Sequence, residues 1–328
     1  MNNKVKIIPI LALSLFLFAC QSGGNKESNN KQQKTKEQPL AKAPAFNADS
    51  AYHYIEKQVS FGPRIPNTQA HKACADWLIS KMKSFADQTT IQRATINSLN
   101  NAYKSVNIIG HFNPDAKERI LLLAHWDTRE FADAVPETAD QHFDGADDGG
   151  SGVGALLEIA RQLEKEKPKI GVDILFTDIE DAGVNNNANS WGLGTQYWSK
   201  TAKQNGYQAK YGILLDMVGG KGARFFREMI TRHYADAESK MVWDIANSIG
   251  YSSFFRYRQI GNIGITDDHE FVNRITGIPT MDIIGLQGNG DFMPWHHKIT
   301  DNMDNISKKT LKAVGQTVLQ VIYSDPDY

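Results

Sequence analysis

The chain has 328 residues, 41% of them hydrophobic and 22% charged, and its formal net charge is −1. That is enough apolar material for a packed domain, and Lys and Arg are matched by Asp and Glu too closely to leave a basic footprint for nucleic acid. The expected partner is therefore a small or peptidic molecule.

The first twenty residues stand apart. Lys4 and Lys6 precede an apolar run from residue 7 to residue 19, which ends at Cys20. A basic start, a short apolar stretch and small residues at its end describe a secretory signal, and the run is short for a membrane span. Leu17-Phe18-Ala19-Cys20 resembles the bacterial lipobox, whose Cys is diacylated and becomes the new N-terminus. An ordinary cleaved signal or an uncleaved anchor helix is the alternative. Two acyl chains suffice for stable membrane attachment. Residues 21–45 are polar and lack the apolar side chains that would offset chain entropy, so they read as a disordered tether. The expected organisation is a lipoprotein signal over 1–20, a tether over 21–45 and a single folded domain over 46–328. Such a chain is exported, on the periplasmic side of the outer membrane or at the cell surface, and touches the membrane only through its lipid. With Cys20 modified, Cys74 has no disulfide partner, and its helical apolar neighbourhood predicts a buried structural thiol.

From residue 46 onward, apolar runs alternate with amphipathic periods. The pattern predicts a helix over 67–85, strands over 106–110 and 120–124, and a helix over 151–166 stopped by Pro168. A strand over 172–177, a helix over 191–203 and a strand over 213–218 follow. Helices over 231–249 and 267–275, a strand over 280–284 and a helix over 305–323 complete the series. The strand runs are β-branched and leucine-rich, which suits a sheet covered on both faces. The alternation predicts one α/β domain with a central, mostly parallel, twisted sheet and helices on both sides.

In open sheets of this kind, ligands gather at the carboxyl ends of the strands. His125-Trp126-Asp127 follows the strand at 120–124, and Asp178-Ile179-Glu180-Asp181 follows the one at 172–177. Asp216 comes after residues 213–215, and the loop with Trp295-His296-His297 lies beyond 280–284. Asp147 and Asp148 sit in Gly145-Ala146-Asp147-Asp148-Gly149-Gly150, just ahead of a helix. Carboxylates and neutral imidazole are the usual ligands of a catalytic zinc that keeps an open position. Each piece has a plainer account as a solvated turn, an acidic loop or a structural histidine. Their convergence on one rim is what points to a metal-dependent site.

Together, His125-x-Asp127, Gly145-Ala146-x-Asp148, Glu180-Asp181, Asp216 and His297 resemble the metallopeptidase clan of zinc aminopeptidases. Phe61-Gly62-Pro63-Arg64-x-Pro66-Asn67-Thr68, His125-Trp126-Asp127-Thr128-Arg129 and Asp267-Asp268-His269 resemble, more closely, the glutaminyl cyclases within that clan, above all their bacterial lipoprotein members. The resemblance implies a zinc-aminopeptidase-like fold and one Zn2+ per chain, held by Asp148, Asp181 and His297. It implies Glu180 as the general acid/base and Asp216 with Asp267 as a hydrogen-bonded acidic pair beside the reacting atoms. Trp191, Phe292 and Trp295 are implied to line the substrate pocket. His297 is chosen over His296 because the family's ligand His is followed four residues later by Asp-Asn, here Asp301-Asn302. The implied activity is that of a glutaminyl-peptide cyclotransferase, an acyltransferase that converts the N-terminal glutamine of peptides and proteins to pyroglutamate with release of ammonia. A monomer is expected.

Three positions depart from the animal members of that family. Asp181 stands where they carry Glu, His296 displaces the tryptophan that directly precedes their ligand His, and their disulfide near the site cannot form here. A two-zinc aminopeptidase is the alternative, with His125 and Asp216 completing a second site, Asp148 bridging both ions and Glu180 activating water. A third reading is a lipid-anchored peptide-binding protein without activity. The intact Glu180 argues against it, because binding alone needs no base.

Overall fold

The computed structural model describes residues 41–258, 260–261 and 263–324. The expected signal peptide, Cys20 and most of the expected tether lie outside the described residues. The strands are β1 (Gln88–Ser98), β2 (Asn101–Phe112), β3 (Arg119–His125), β4 (Gly171–Thr177), β5 (Gly212–Asp216), the short β6 (Phe225–Phe226) and β7 (Phe255–Arg256), and β8 (Thr280–Ile284). Six of them form one sheet in the order β1-β2-β4-β3-β5-β8. β4, β3, β5 and β8 run parallel, while β1 and β2 add antiparallel pairs at one edge.

The helices are α1 (Ala48–Val59), α2 (Gln69–Phe85), α3 (Gly150–Lys165), α4 (Leu193–Gln204), α5 (Met229–Tyr234), α6 (Asp236–Ser248), α7 (Asp268–Thr276) and α8 (Lys308–Ser324). Because side chains alternate along a strand, each buried strand feeds two cores. Ile120, Leu122 and Ala124 of β3 and Ile213 and Leu215 of β5 join the larger core with α1, α2, α3, α6 and α8. Leu121, Leu123 and Leu214 face the other way, onto Trp198 of α4 and Val272 of α7. The expected mostly parallel sheet with helices on both faces is borne out. Cys74 is fully buried and free, and burial pushes its thiol up to about 12.

Several elements differ from expectation. β1 was not foreseen, because its Thr-rich, half-exposed sequence contains no apolar run. Leu99 and Asn100, both at positive φ, join it to β2 in a two-residue hairpin loop. α1 was missed because its buried face is only Ala51, Ile55 and Gln58, although Asn47 caps its start. The single helix expected over 231–249 is two, broken at Ala235. β5 stops at Asp216, where Met217 turns the chain at φ 46°. The last residues of the expected tether lie along α8, with Gln320 donating to the Ala41 carbonyl and Gln316 to that of Pro44.

Candidate metal centre and active site

β3 ends on His125, and β4 leads into Asp178, Ile179, Glu180 and Asp181. Ile179 sits at φ 55°, a conformation that a β-branched residue adopts only when its surroundings force it. The restraint comes from both sides. The Asp178 carboxylate accepts from the Val106 amide at 2.7 Å and pairs with His71 Nε2 at 2.8 Å. The amides of Gly192, Leu193 and Gly194, at the start of α4, donate to the carbonyls of Glu180, Ile179 and Asp178. Asp127 then accepts from the Glu180 and Asp181 amides at 3.0 and 3.2 Å. The two carboxylates are thereby aimed by a turn that the hydrogen bonds over-determine.

The Asp147-Asp148 turn is held in the same manner. Asp301 accepts from both amides, at 2.8 and 3.0 Å, while the buried Arg64 guanidinium donates to the Asp144 and Gly145 carbonyls. The Asp147 carboxylate turns inward, accepting from the Trp295 indole and the Gly219 amide at 2.9 Å each. Burial raises its pKa to about 7, and the indole hydrogen bond offsets part of that rise. Asp148 is the member of the pair that faces the cavity.

The three expected ligands come together. His297, held at φ 53°, places Nε2 3.3 Å from Asp181 Oδ1 and 3.6 Å from Asp148 Oδ2. Asp181 Oδ2 is buried with no hydrogen-bond partner. Two buried carboxylates and an imidazole around such an orphaned oxygen suit a divalent cation, and this donor set fits zinc. A second group of ligand atoms lies beside the first: those of His125, Asp148 and Asp216 are all within 4.8 Å of one another. His125 Nε2 is 3.1 Å from Asp148 and 3.3 Å from Asp216. Burial disfavours the imidazolium, but the surrounding carboxylates of Asp127, Asp148 and Asp216 outweigh it and carry the His125 pKa well above its ordinary value.

Glu180 and Asp267 both line the cavity, and both carboxyls lie well above the carboxylate range. Burial is the chief cause for each, followed by the Asp267 charge acting on Glu180 and the Asp216 charge acting on Asp267. Asp267 Oδ1 caps α7 through the Asp268 amide, and its Oδ2 has no hydrogen-bond partner. No hydrogen bond joins Asp216 to Asp267 among the described residues; their link is electrostatic. Behind them lies a fully buried group that sequence reasoning missed. Asp282 of β8 has neither carboxylate oxygen hydrogen-bonded, and burial pushes its pKa far up.

The cavity at these strand ends measures about 490 Å³. Trp191 and Phe292 line it as expected, whereas Trp295 does not, its indole being spent on Asp147. His296 lines it instead, stacked between Phe292 at 4.2 Å and His297 at 3.8 Å, and burial lowers its pKa to about 3. Arg129 closes one side, lying over the Trp191 ring at 5.2 Å while pairing with Asp133 and Asp181. Asp133, Asn185 and the segment 263–266 also reach the cavity. They carry no sequence signal, because only tertiary packing brings them there.

The run of site residues matches a known pattern over residues 107–322, that of Peptidase family M28. The chain belongs to that family. Among solved structures it is similar to the Bacteroides thetaiotaomicron glutaminyl cyclase bound to N-acetylhistamine, at 46% identity and a TM-score of 0.83, covering 87% of this chain and 100% of that one. It is also similar to a Zn-dependent exopeptidase from Parabacteroides distasonis, at 47% identity and a TM-score of 0.80, covering 86% and 99% of the two chains. A curated relative, the glutaminyl-peptide cyclotransferase of Bos taurus, is 25% identical over 75% of this chain and 70% of its own length. The M28 assignment agrees with the clan resemblance in the motifs. Likeness alone does not choose the reaction, since a cyclase and an exopeptidase stand at nearly the same identity.

Proposed function

We propose that this M28 chain cyclises the N-terminal glutamine of peptides and proteins to pyroglutamate, releasing ammonia, with one zinc per chain. Asp148, Asp181 and His297 would hold the ion. When bound there, zinc supplies Lewis-acid polarisation of the γ-carboxamide carbonyl. The α-amine and the carbonyl that it attacks belong to one residue, so no water need be activated. Holding them in register supplies much of the acceleration. The bond from the α-nitrogen to the side-chain carboxamide carbon, Cδ, forms, the bond from that carbon to the amide nitrogen breaks, and the departing nitrogen needs a proton. Glu180 accepts the proton from the amine and returns it to the leaving nitrogen. Trp191 and Phe292 wall the substrate side chain. Asp216 and Asp267, which line the same cavity, would hydrogen-bond the reacting nitrogens.

The observation that carries this reading is the set of residues around the ligands, 61–68, 125–129 and 267–269, which resemble the glutaminyl cyclases more closely than the wider clan. His125, Asp148 and Asp216, whose ligand atoms lie within 4.8 Å of one another, are the observation that favours the other reading, a two-zinc exopeptidase in which His125 is a ligand. One experiment separates them. The metal content of purified protein is measured after dialysis against zinc-free buffer, alongside the products from Gln-, Leu- and Ala-initiated peptides. One ion per chain with pyroglutamyl product and ammonia is expected. Two ions with free N-terminal amino acid would replace the cyclase by the exopeptidase.

The chain is also read as an exported monomeric lipoprotein, acylated at Cys20 and attached to the membrane only through that lipid. The support is the basic start, the short apolar run and the Leu17-Phe18-Ala19-Cys20 sequence.

A further inference from the structure

Asp181 and His297 come from loops far apart in the chain, and a third segment is drawn between them. Arg129 Nη1 donates to the carbonyls of Asp181 and Gly183 at 3.1 Å each and to Asp181 Oδ1 at 3.3 Å. The guanidinium is fixed from its other side as well, where Nε and Nη2 donate to the two carboxylate oxygens of Asp133 at 2.8 and 2.5 Å. Asp133 in turn faces the ligand histidine. Its Oδ1 lies 3.8 Å from His297 Nδ1, while His297 Nε2 points to Asp148 and Asp181. The Ala134 amide donates to the His297 carbonyl at 3.2 Å, which fastens this loop to the backbone that holds the imidazole at positive φ. Trp191 completes the enclosure, 5.2 Å from the guanidinium and within 8° of parallel to the His297 ring at 6.4 Å.

A guanidinium held on both carboxylate oxygens is planar and directional, so neither partner rotates freely. The Arg129 side chain is only 12% exposed, which spares the pair much of the screening that weakens ion pairs at the surface. Together the two side chains carry no net charge. What they bring to the metal ligands is therefore direction. We infer that Arg129 and Asp133 form one positioning unit for the metal centre, Arg129 aiming the Asp181 carboxylate and Asp133 the His297 imidazole. The unit acts through those two ligands and not on the reacting atoms. It rests on the ligand set proposed above, and it holds for whichever reaction the site performs.

The test measures the zinc Kd of purified protein by competition with a chromophoric chelator, for wild type, Arg129→Gln, Arg129→Lys, Asp133→Asn and the Arg129→Gln/Asp133→Asn double variant. Each single substitution should raise Kd about 10–100-fold, the usual cost of removing a partner that orients a metal ligand. The double variant should lie within about twofold of the weaker single, because either residue alone has lost the partner that fixes it. Arg129→Lys keeps the charge without the fork, so it should bind zinc as weakly as Arg129→Gln. Cobalt-loaded Asp133→Asn should show an altered visible spectrum, which reports ligand geometry and which a change in fold stability alone would not move. Should Arg129→Gln fail to fold, Asp133→Asn decides by Kd and spectrum, since that side chain is 40% exposed. Single variants within about twofold of wild type, losses that multiply in the double, or full rescue by lysine would each overturn the unit and leave the metal centre intact. Wild-type protein that binds no zinc would overturn the ligand set, and the unit with it.

Discussion

In the proposed mechanism the neighbours Glu180 and Asp181 have separate tasks, and single substitutions should separate them. Glu180→Gln keeps the shape and removes the basicity, so metal content should persist while kcat falls about 10²–10⁴-fold. Asp181→Asn should instead lose metal in the same dialysis assay, and equal metal loss in both variants would refute the division. The pH profile carries a further sign. In the proposed mechanism Glu180 is the ionised base, so activity should be lost as pH falls through its pKa. Burial and the Asp267 charge raise that pKa, which places the acid limb of kcat/KM above the ordinary glutamate value of about 4.3. Asp267→Asn removes the largest of the raising charges, and its residual activity should show the limb at lower pH. The convergence of Asp148, Asp181 and His297 was legible in the motifs at 145–148, 180–181 and 297–302. The inward turn of Trp295 was not, because its position in the sequence gives no sign that Asp147 claims the indole N–H.

At the scale of elements, α3 fixes the Asp148 turn against the sheet, and it does so through a glycine. A Cβ at Gly152 would lie 2.1 Å from the Leu215 carbonyl oxygen and 2.9 Å from Ala124, so the helix start touches both β5 and β3. Neither neighbour is a flexible side-chain end that can swing aside. Gly152→Ala should therefore destabilise the fold by about 1–3 kcal/mol in chemical denaturation and weaken metal retention, because Asp148 lies one turn away. Gly288→Ala, which meets nothing within 4 Å, is the control and should change neither. The buried strands β3, β4, β5 and β8 were legible because two-sided burial demands an unbroken apolar run. β1 and α1 were not, since an edge strand and a helix with three buried residues satisfy their burial with mixed sequence.

For the whole molecule, anchor and enzyme should be independent. Cys20→Ser protein should leave the membrane fraction in high salt while the soluble chain keeps its turnover of glutamine peptides; retention on membranes would point to an uncleaved apolar helix. The sequence by itself determined the class of sheet and the family and supplied the candidate ligands, because apolar runs and short spaced motifs are local properties of the chain. Tertiary structure decided what the polar groups do to one another. It set His125 between two carboxylates, left one oxygen of Asp181 without a partner, and drew Arg129 onto Asp181 and the Trp191 ring. Those relations join residues far apart in the chain, and their energies depend on burial and on a few ångströms of separation, which only the folded packing fixes.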